Sequence, residues 1–309
     1  MGFLYLLEQI RNPVLDVVME IITRFGSELL FYVFAMFLLW CVDKREGAYV
    51  LFVGFFGTVV NQVLKLACRV ERPWVRDPNF SIVETARAEA TGYSFPSGHS
   101  QNVTATFGAV ARWNRVRWLR IVSTVMIALV CFSRMYLGVH TPADVLTGLA
   151  LSTVIVFAFY PLVRRAFDSE KRMAVLLGAM LLCAVGYIGY TCIDALHTQT
   201  DPAQLLTSRK LACDITGALL GYIAGFFLER RFIRYETKGV WYVQAIKLIF
   251  GLGLLLAIKS GLKELFVLAG LTSLAFELLR YFVMVLFATA LWPMTFRPLT
   301  RLLTKEKVK

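Results

Sequence analysis

The sequence has few charged residues: Asp, Glu, Lys and Arg make up 17% of its 309 residues, whereas hydrophobic residues make up 58%. Soluble domains contain about 25% charged residues, so this composition argues against an ordinary soluble protein. Apolar runs recur along the whole chain, and many approach the roughly 20 residues that a helix needs to cross a bilayer. We therefore predict an all-α, polytopic membrane helical bundle.

Closely spaced cysteine pairs are also missing. The six cysteines, at positions 41, 68, 131, 183, 192 and 213, include no CxxC pair, and most of them fall within apolar runs. They are expected to be buried small hydrophobic residues rather than metal ligands or a disulfide framework. The N-terminus has no basic segment followed by a small-residue cleavage site, so no removable signal peptide is expected.

The chain has a net charge of +12, which could indicate a nucleic-acid partner. Its basic residues, however, lie in short clusters between apolar runs, as they do in the cytoplasmic loops of membrane proteins. We therefore expect no nucleic-acid partner and predict instead a protein surrounded by membrane lipids.

The apolar runs divide the chain into about nine transmembrane helices, preceded by an N-terminal interfacial helix segment over residues 1–26. In the last predicted span, either a short helix precedes the span or Glu277 and Arg280 pair inside the bundle. We predict a catalytic core over 1–170 and a transmembrane extension over 171–309. The predicted spans are Glu28–Val42, Gly47–Ala67, Ser97–Trp113, Leu119–Leu137, Pro142–Val163, Met173–Cys192, Leu211–Leu228, Val240–Ile258 and Leu262–Trp292.

Basic residues predict the orientation of these spans. With nine spans, the side that carries the C-terminal tail holds more Lys and Arg than the other side, so we expect the C-terminus to be cytoplasmic. The polar segment 68–96 and the turn at 133–141 then lie together on the outer or lumenal face. Segment 68–96 is expected to be a partial lid or an unstructured linker.

Three polar clusters fall on that face, and two of the three histidines of the chain lie in them. Thr141-Pro142 after His140 predicts a helix start, so the Asp144 carboxylate in the first turn can reach back to the imidazole. The clusters are Lys65 with Arg72-Pro73, then Pro96-Ser97-Gly98-His99, then Ser133-Arg134 with His140 and Asp144.

The clusters contain the groups that would bind a phosphate without a metal or cofactor. Three fixed cations can neutralise a phosphate and the charge on its equatorial oxygens in the transition state. Backbone N–H groups of residues 97–99, at a helix start, offer an anion-binding nest. The predicted phosphate-binding residues are Lys65, Arg72, Ser97, Gly98 and Arg134.

The remaining groups suit nucleophilic catalysis. His140 can attack phosphorus while Asp144 holds its other ring nitrogen protonated, and His99 can protonate the leaving oxygen as a general acid. A zinc site is disfavoured, because no Asp, Glu or Cys has a matching ligand spacing around the two histidines. We predict no metal site.

Each residue also has a structural explanation when it is considered alone. Lys65 can extend its charge to the interface, and Arg72 or Arg134 can anchor a loop to lipid head groups. His99 can be a satisfied polar group, and Gly98 can mark an ordinary helix entry. The joint occurrence of these residue types on one predicted face favours the chemical interpretation.

The three clusters resemble the three-part signature of the type 2 phosphatidic acid phosphatase superfamily, which includes lipid phosphate phosphatases and is related to vanadium haloperoxidases. The resemblance covers about Val60 to Leu162. It implies that His140 is the nucleophile, Asp144 its partner and His99 the acid, with the five phosphate-binding residues around them. The run SRMYLGVHTPADVLTGLAL is similar to sequences of the longer, sphingosine-1-phosphate phosphatase-like members.

The resemblance implies an integral membrane phosphatase that hydrolyses a lipid phosphomonoester through a phosphohistidine, with a sphingosine-1-phosphate-like or phosphatidate-like substrate. A polyprenyl (undecaprenyl) diphosphate phosphatase is an alternative, and a soluble sugar phosphate is a less favoured substrate. A non-hydrolytic lipid-phosphate transporter is another alternative, because such a protein could use the charged residues in the later spans. The extension could also form a homodimer interface. The charges concerned are Asp194, Asp214, Lys247, Glu277 and Arg280, while Asp194, Asp214 and His197 could contact a head group or cap helices.

Overall fold

The computed structural model describes residues 1–197, 200–271 and 273–304, and all its regular elements within these ranges are helices. The all-α prediction is therefore confirmed. Between the α-helices of the described residues lie two 3₁₀ turns, at 24–26 and 84–87, and four π-helical segments, at 38–42, 104–108, 229–233 and 287–291. The helices are α1 Gly2–Gln9, α2 Pro13–Thr23, α3 Glu28–Phe37, α4 Lys44–Cys68, α5 Pro73–Arg76, α6 Gly98–Val103, α7 Ala109–Trp113, α8 Arg117–Tyr136, α9 Pro142–Phe167, α10 Glu170–His197, α11 Pro202–Leu228, α12 Trp241–Leu268, α13 Leu274–Leu286, α14 Trp292–Met294 and α15 Phe296–Thr304.

Seven helical stretches among the described residues are long and apolar enough to cross a membrane, and the chain is a multi-pass integral membrane protein. An eighth appears if 13–26 and 28–42, which meet at a bend of 52°, count as one span. The predicted count of nine is not confirmed. The predicted span that is not among these candidates is Ser97–Trp113. In the structure, the stretch from Gly98 to Trp113 is interrupted by a π-helical segment at Thr104–Gly108. At 1.5 Å per residue, its length of roughly 24 Å falls short of the ~30 Å hydrocarbon core.

The chain forms two compact units, and the first consists of residues 1–35 and 49–164. Its N-terminal helices have the amphipathic character that the sequence predicts. Asn12 caps α2 by accepting a hydrogen bond from the Leu15 N–H, and Pro13 occupies the first helical position. Val14 and Val17 on this helix are exposed, whereas Thr23 at its end is buried. The helix therefore has one apolar face directed outward and one face directed into the unit.

Two apolar clusters in the first unit hold its chemically important turns in place. Val103, Val130 and Val145 bring α6, α8 and α9 together. Tyr136 and Leu137, at the end of α8, pack with residues of segment 69–96, and the Val83 N–H donates to the Leu137 carbonyl oxygen. Segment 69–96 is thus packed over the turn between α8 and α9 rather than being an unstructured linker.

The second unit consists of residues 36–48 and 165–309. Helix α11 packs closely against α13, because Gly217 and Gly221 face the backbone of α13 where a Cβ atom would collide with it. The last predicted span is divided, since α12 extends to Leu268 and a separate helix begins at Leu274. The division into a catalytic core over 1–170 and a transmembrane extension over 171–309 stays a prediction.

Candidate active site

Two of the predicted phosphate-binding cations follow each other along the chain at the end of α4. Lys65 lies in the last turn of this helix, is 8% exposed, and donates from Nζ to the Tyr93 carbonyl oxygen at 2.5 Å. Arg72 comes just before α5, whose first residue is Pro73. Its guanidinium donates to three main-chain carbonyl oxygens, those of Gly92, Thr91 and Val139, at 2.9, 2.7 and 3.0 Å. Both cations therefore form hydrogen bonds with the main chain of segment 91–93.

Arg134, the third cation, lies in the last turn of α8 and is 1% exposed. Its Nη1 donates to the hydroxyl oxygen of Thr23 at 2.9 Å. Its Nε and Nη2 are buried and have no hydrogen-bond partner within the part of the chain that the structure describes. A buried donor without a partner costs free energy, and an anion bound here would remove that cost.

The second cluster forms the N-terminus of α6. Ser97 is the N-cap, and its hydroxyl oxygen accepts from the Ser100 N–H at 3.4 Å. The Ser97 N–H itself donates to the Asp144 carbonyl oxygen at 3.0 Å, so it is engaged within the protein and does not contribute to an anion nest. Gly98, where a Cβ atom would meet nothing within 4 Å, begins the helix. The proposed nest therefore depends on the N–H groups of Gly98 and His99.

Ser97 is also where α9 packs against the start of α6. A Cβ atom added to Gly148 would lie 2.6 Å from the Ser97 carbonyl oxygen, so only glycine permits this approach. Together with the hydrogen bond from Ser97 to Asp144, this contact joins the N-termini of the two helices.

His140 and Asp144 meet as the helix-start prediction requires. α9 begins at Pro142, and the Thr141 hydroxyl accepts from the Asp144 N–H at 3.3 Å. The carboxylate oxygen Oδ2 of Asp144 accepts from the Thr141 N–H at 2.8 Å and lies 3.6 Å from Nδ1 of His140. Both side chains are 2% exposed.

Ser94 lies between these two groups, and the sequence analysis did not identify it. Its hydroxyl donates to Asp144 Oδ2 at 2.6 Å and lies 3.4 Å from His140 Nδ1. The residue is fully buried. In the sequence, Ser94 is notable only for lying two residues before Pro96. A serine in a polar segment does not indicate a functional role until the fold places it beside the carboxylate.

The other nitrogen of His140 faces Arg72, whose Nη1 lies 2.9 Å from His140 Nε2. Since an arginine can only donate, Nε2 accepts, and the neutral ring then carries its proton on Nδ1, toward Ser94 and Asp144. Burial lowers the pKa of His140, and the positive charges of Arg72 and Arg134 lower it further. The imidazole is therefore neutral and has a lone pair on the side of the cations.

His99 occupies the first turn of α6 and contacts a carboxylate that the sequence analysis also missed. Its Nε2 lies 3.4 Å from Oε2 of Glu89, and this contact lowers the pKa of Glu89. Gly26 packs against His99 from the N-terminal segment, since a Cβ atom there would lie 2.9 Å from the His99 carbonyl oxygen. Glu89 and Thr23 come from segments without a recognisable motif, so only the fold reveals them.

The structure thus brings all the predicted site residues together in the first unit. Among the described residues, no group of three or more His, Cys, Asp and Glu side chains could hold a metal ion. Of the other residues considered in the sequence analysis, Asp194 accepts a hydrogen bond from the Thr200 hydroxyl at 2.7 Å. The side chain of His197 lies outside the described residues.

Comparison with known proteins identifies the family. The PAP2 superfamily model matches residues 46–168, which contain every predicted site residue. A second model, the transmembrane extension of PAP2 superfamily phosphatases, matches residues 213–305. The chain belongs to the PAP2 superfamily.

Individual relatives carry several different names. Sphingosine-1-phosphate phosphatase 1 of Mus musculus is 28% identical over 216 residues, which are 67% of this chain and 49% of the relative. Undecaprenyl-diphosphatase BcrC of Bacillus subtilis is 29% identical over 154 residues, 48% of this chain and 75% of the relative. A crystal structure of a transmembrane PAP2 type phosphatidylglycerolphosphate phosphatase from Bacillus subtilis is similar with a TM-score of 0.44 and 27% identity, over 55% of this chain and 84% of that one. The chain spans about half the length of the sphingosine-1-phosphate phosphatases that it matches.

Proposed function

We propose that this protein is an integral membrane phosphatase that hydrolyses a lipid phosphomonoester, without a metal, through a phosphohistidine on His140. The observation that carries the proposal is the arrangement of the His140 ring, with Nε2 at 2.9 Å from Arg72 and Nδ1 directed toward Ser94 and Asp144. This is the orientation of a nucleophile that has an orienting carboxylate behind it and an anion site in front of it.

Substrate binding begins with the phosphate. Lys65, Arg72 and Arg134 supply three positive charges, and the N–H groups of Gly98 and His99, which follow the N-cap Ser97, supply the positive end of the α6 dipole. Two nitrogen atoms of Arg134 are buried without partners among the described residues, and the phosphate oxygens satisfy them. The same charges stabilise the equatorial oxygens in the transition state.

The first chemical step is attack on phosphorus. His140 Nε2 forms a bond to phosphorus, the bond from phosphorus to the lipid oxygen breaks, and His99 transfers its proton to that oxygen. Burial and the positive charge of Arg134 lower the pKa of His99 to about 4, and the contact with Glu89 opposes this shift. The negative charge of the bound phosphate adds to the effect of Glu89 and favours the protonated ring that this step needs. Asp144, through Ser94, stabilises the positive charge that develops on the His140 ring.

The second step returns the enzyme to its initial state. A water molecule attacks the phosphohistidine while His99 accepts one of its protons, the bond from phosphorus to Nε2 breaks, and inorganic phosphate leaves. Because fixed cations supply the charge that a metal would otherwise supply, we expect turnover to be independent of added metal.

The substrate we propose is a lipid with a sphingosine-1-phosphate-like or phosphatidate-like head group. Support comes from the 28% identity to a sphingosine-1-phosphate phosphatase over two thirds of this chain and from the apolar helices around the site. We propose further that the site opens on the extracytoplasmic or lumenal face and that the C-terminus is cytoplasmic, because of the distribution of Lys and Arg. A homodimer remains part of the proposal.

A diphosphate substrate is the second candidate. It is favoured by the 29% identity to an undecaprenyl-diphosphatase, which covers 48% of this chain. A transporter that binds lipid phosphate without hydrolysis is the third, although binding alone has no use for a histidine with an orienting carboxylate.

The test is phosphate release by the purified protein in detergent, with excess chelator present. The panel contains sphingosine-1-phosphate, phosphatidate, undecaprenyl diphosphate and glucose-6-phosphate. We expect release from one of the two lipid monophosphates to exceed that from the other compounds, and loss of release in His140→Ala. His140→Gln, which keeps a polar side chain of similar size, controls for packing and should be equally inactive.

Other outcomes would contradict separate parts of the proposal. Substantial turnover by the His140→Ala variant would exclude His140 as the nucleophile. Inhibition by chelator that added metal reverses would exclude the metal-independent mechanism. Binding of lipid phosphate without release from any compound would favour the transporter.

A further inference from the structure

A cavity of about 450 Å³ lies between α7, α8 and α9. Arg112, which lines one part of it, follows His99 by 13 positions along the stretch that contains α6 and α7. At 1.5 Å per helical residue, Arg112 and His99 are roughly 20 Å apart. A phosphate bound at Arg112 could therefore not be the phosphate at His140.

The cavity has a charged end and an apolar end. Arg112 and Arg120 line one part of it, whereas the rest is lined mainly by hydrophobic side chains. Its volume falls within the range of cavities that hold small molecules. The hydrophobic lining residues are Ile127, Leu149, Val156 and Phe157.

The two arginines are oriented but not neutralised. The Arg112 guanidinium lies over the Tyr160 ring, with its carbon 3.7 Å from the ring centroid, and its Nε is buried with no hydrogen-bond partner in the described residues. Arg120 Nε donates to the carbonyl oxygens of Ala111 and Asn114, at 3.2 and 2.9 Å. Neither arginine has an ion pair with a carboxylate in the part of the chain that the structure describes.

The surroundings of the cavity face lipid. Trp118 and Ile121 on α8 are more than 60% exposed, and Phe157 on α9 is 59% exposed. Tryptophan near basic residues is typical of the level of the lipid head groups. The stretch 112–120, RWNRVRWLR, contains four arginines and no acidic residue. An anion from the bilayer therefore meets an uncompensated positive charge at the mouth of an apolar groove.

We propose that this groove binds an anionic phospholipid of the surrounding bilayer, as a second lipid site separate from the catalytic one. The phosphate lies on Arg112 and Arg120, and one acyl chain lies along Ile127, Leu149 and Val156. Basic pockets between membrane helices bind anionic head groups in this way. The lipid is a bound component rather than a substrate, because it lies far from the histidines.

The experiment is native mass spectrometry of the delipidated full-length protein titrated with phosphatidylglycerol or phosphatidylcholine of the same acyl chains. The double variant Arg112→Gln/Arg120→Gln removes the two lining charges. The matched control, Arg115→Gln/Arg117→Gln, removes two exposed arginines of the same stretch that do not line the cavity. All titrations use the His140→Ala background as well as the unmodified chain, so that lipid at the catalytic site is not consumed.

We expect the first phosphatidylglycerol to bind at least about tenfold more tightly than phosphatidylcholine, a difference that corresponds to 1.4 kcal/mol. Arg112→Gln/Arg120→Gln should abolish this preference, whereas Arg115→Gln/Arg117→Gln should change it by less than about twofold. An equal loss of this preference in both double variants would mean that it depends only on general surface charge, and would overturn the proposal. So would an unchanged preference in Arg112→Gln/Arg120→Gln.

A second variant guards against misfolding of the charge variants. Ile127→Trp narrows the apolar part of the groove without changing charge, and we expect it to weaken phosphatidylglycerol binding while Arg115→Gln/Arg117→Gln does not. Retained binding in Ile127→Trp would exclude the groove as the acyl-chain site. Phosphate release from the lipid panel is measured separately, so a failure of the proposed phosphatase activity does not affect this result.

Discussion

The arginines of the candidate site and two paired cations of the second unit have opposite kinds of partners. In the first unit, Arg72 and Arg134 donate to backbone carbonyl oxygens and to a hydroxyl, and part of the Arg134 guanidinium has no partner among the described residues. In the second unit, Arg280 pairs with Glu277 at 2.5 Å, and Lys44 pairs with Glu229 at 2.5 Å. The first arrangement leaves positive charge for a ligand, and the second neutralises it internally.

This difference separates charges that serve binding from charges that serve structure. Burying cations close together without direct ion pairs opposes folding, so the candidate anion site lowers the stability of the first unit. In a buried ion pair, by contrast, each charge offsets much of the desolvation penalty of the other, and removal of one partner leaves a costly uncompensated charge. Substitutions of arginine in the two units should therefore have opposite effects on activity and stability.

The largest effect is expected for Arg134→Ala. We propose that the Arg134 charge stabilises the transition state, so its removal should lower kcat/KM by roughly 10³-fold. Thermal stability should be unchanged or higher, because like charges no longer repel. Phosphate release and Tm are measured in parallel, with Arg280→Ala of the second unit as the matched control. Arg280→Ala should lower Tm and keep kcat/KM within about threefold, and the reverse pattern would refute the comparison.

The next largest effect is expected for Glu277→Gln, which leaves Arg280 without its carboxylate. Hydrogen bonds to charged groups contribute about 1.5–3 kcal/mol, so the free energy of unfolding should fall by up to this amount. Tm in detergent measures it, while kcat/KM at a temperature where the variant is folded should be unchanged. An unchanged Tm would mean that the Arg280 charge has another stabilising contact.

Ser94→Ala should have a smaller effect that is confined to catalysis. Outer partners that orient a histidine typically contribute about 10–100-fold to activity, and we expect kcat to fall by this factor with little change in KM. Ser152→Ala is the control, because Ser152 is also buried in the first unit but donates to the Gln101 carbonyl oxygen. Equal losses in kcat for the two variants would assign Ser94 a packing role only.

The smallest effect concerns pH. Because burial and neighbouring cations lower the pKa of His140, the ring stays neutral as the pH falls below the ordinary histidine pKa of about 6.5. The rate of phosphohistidine formation should therefore be retained at pH 6. In Arg134→Gln, the pH at which the rate of phosphohistidine formation falls on the acidic side should be higher, by about one unit or less. If this fall occurs at the ordinary histidine pKa in both proteins, the cations do not lower the pKa of His140.

The fold class and most of the site could be predicted because they depend on local patterns. Apolar run lengths indicated membrane helices, and the start of α9 at Pro142 followed from the Thr141-Pro142 pair, which brought Asp144 back to His140. The interruption at Thr104–Gly108 could not be predicted, since a π-helical segment changes hydrogen bonding without changing hydropathy.

The residues that the sequence analysis missed share one property. Thr23, Glu89 and Ser94 contact Arg134, His99 and Asp144 from outside the three clusters, so no motif spacing indicates them. Likewise, the engagement of the Ser97 N–H with the Asp144 carbonyl oxygen depends on how α6 meets α9. Long-range contacts of this kind follow from packing, which a single sequence does not display.

The approach of Gly148 to the Ser97 carbonyl oxygen limits how the site can vary. With no side chain between them, α6 and α9 have no intervening layer that could absorb a shift of one helix against the other. His99 on α6, the proposed general acid, and the Asp144 carboxylate at the start of α9 therefore keep a fixed separation, set by backbone contact. Variation in substrate preference then has to arise from the surrounding segments, such as 69–96, while the spacing of the reacting groups stays constant.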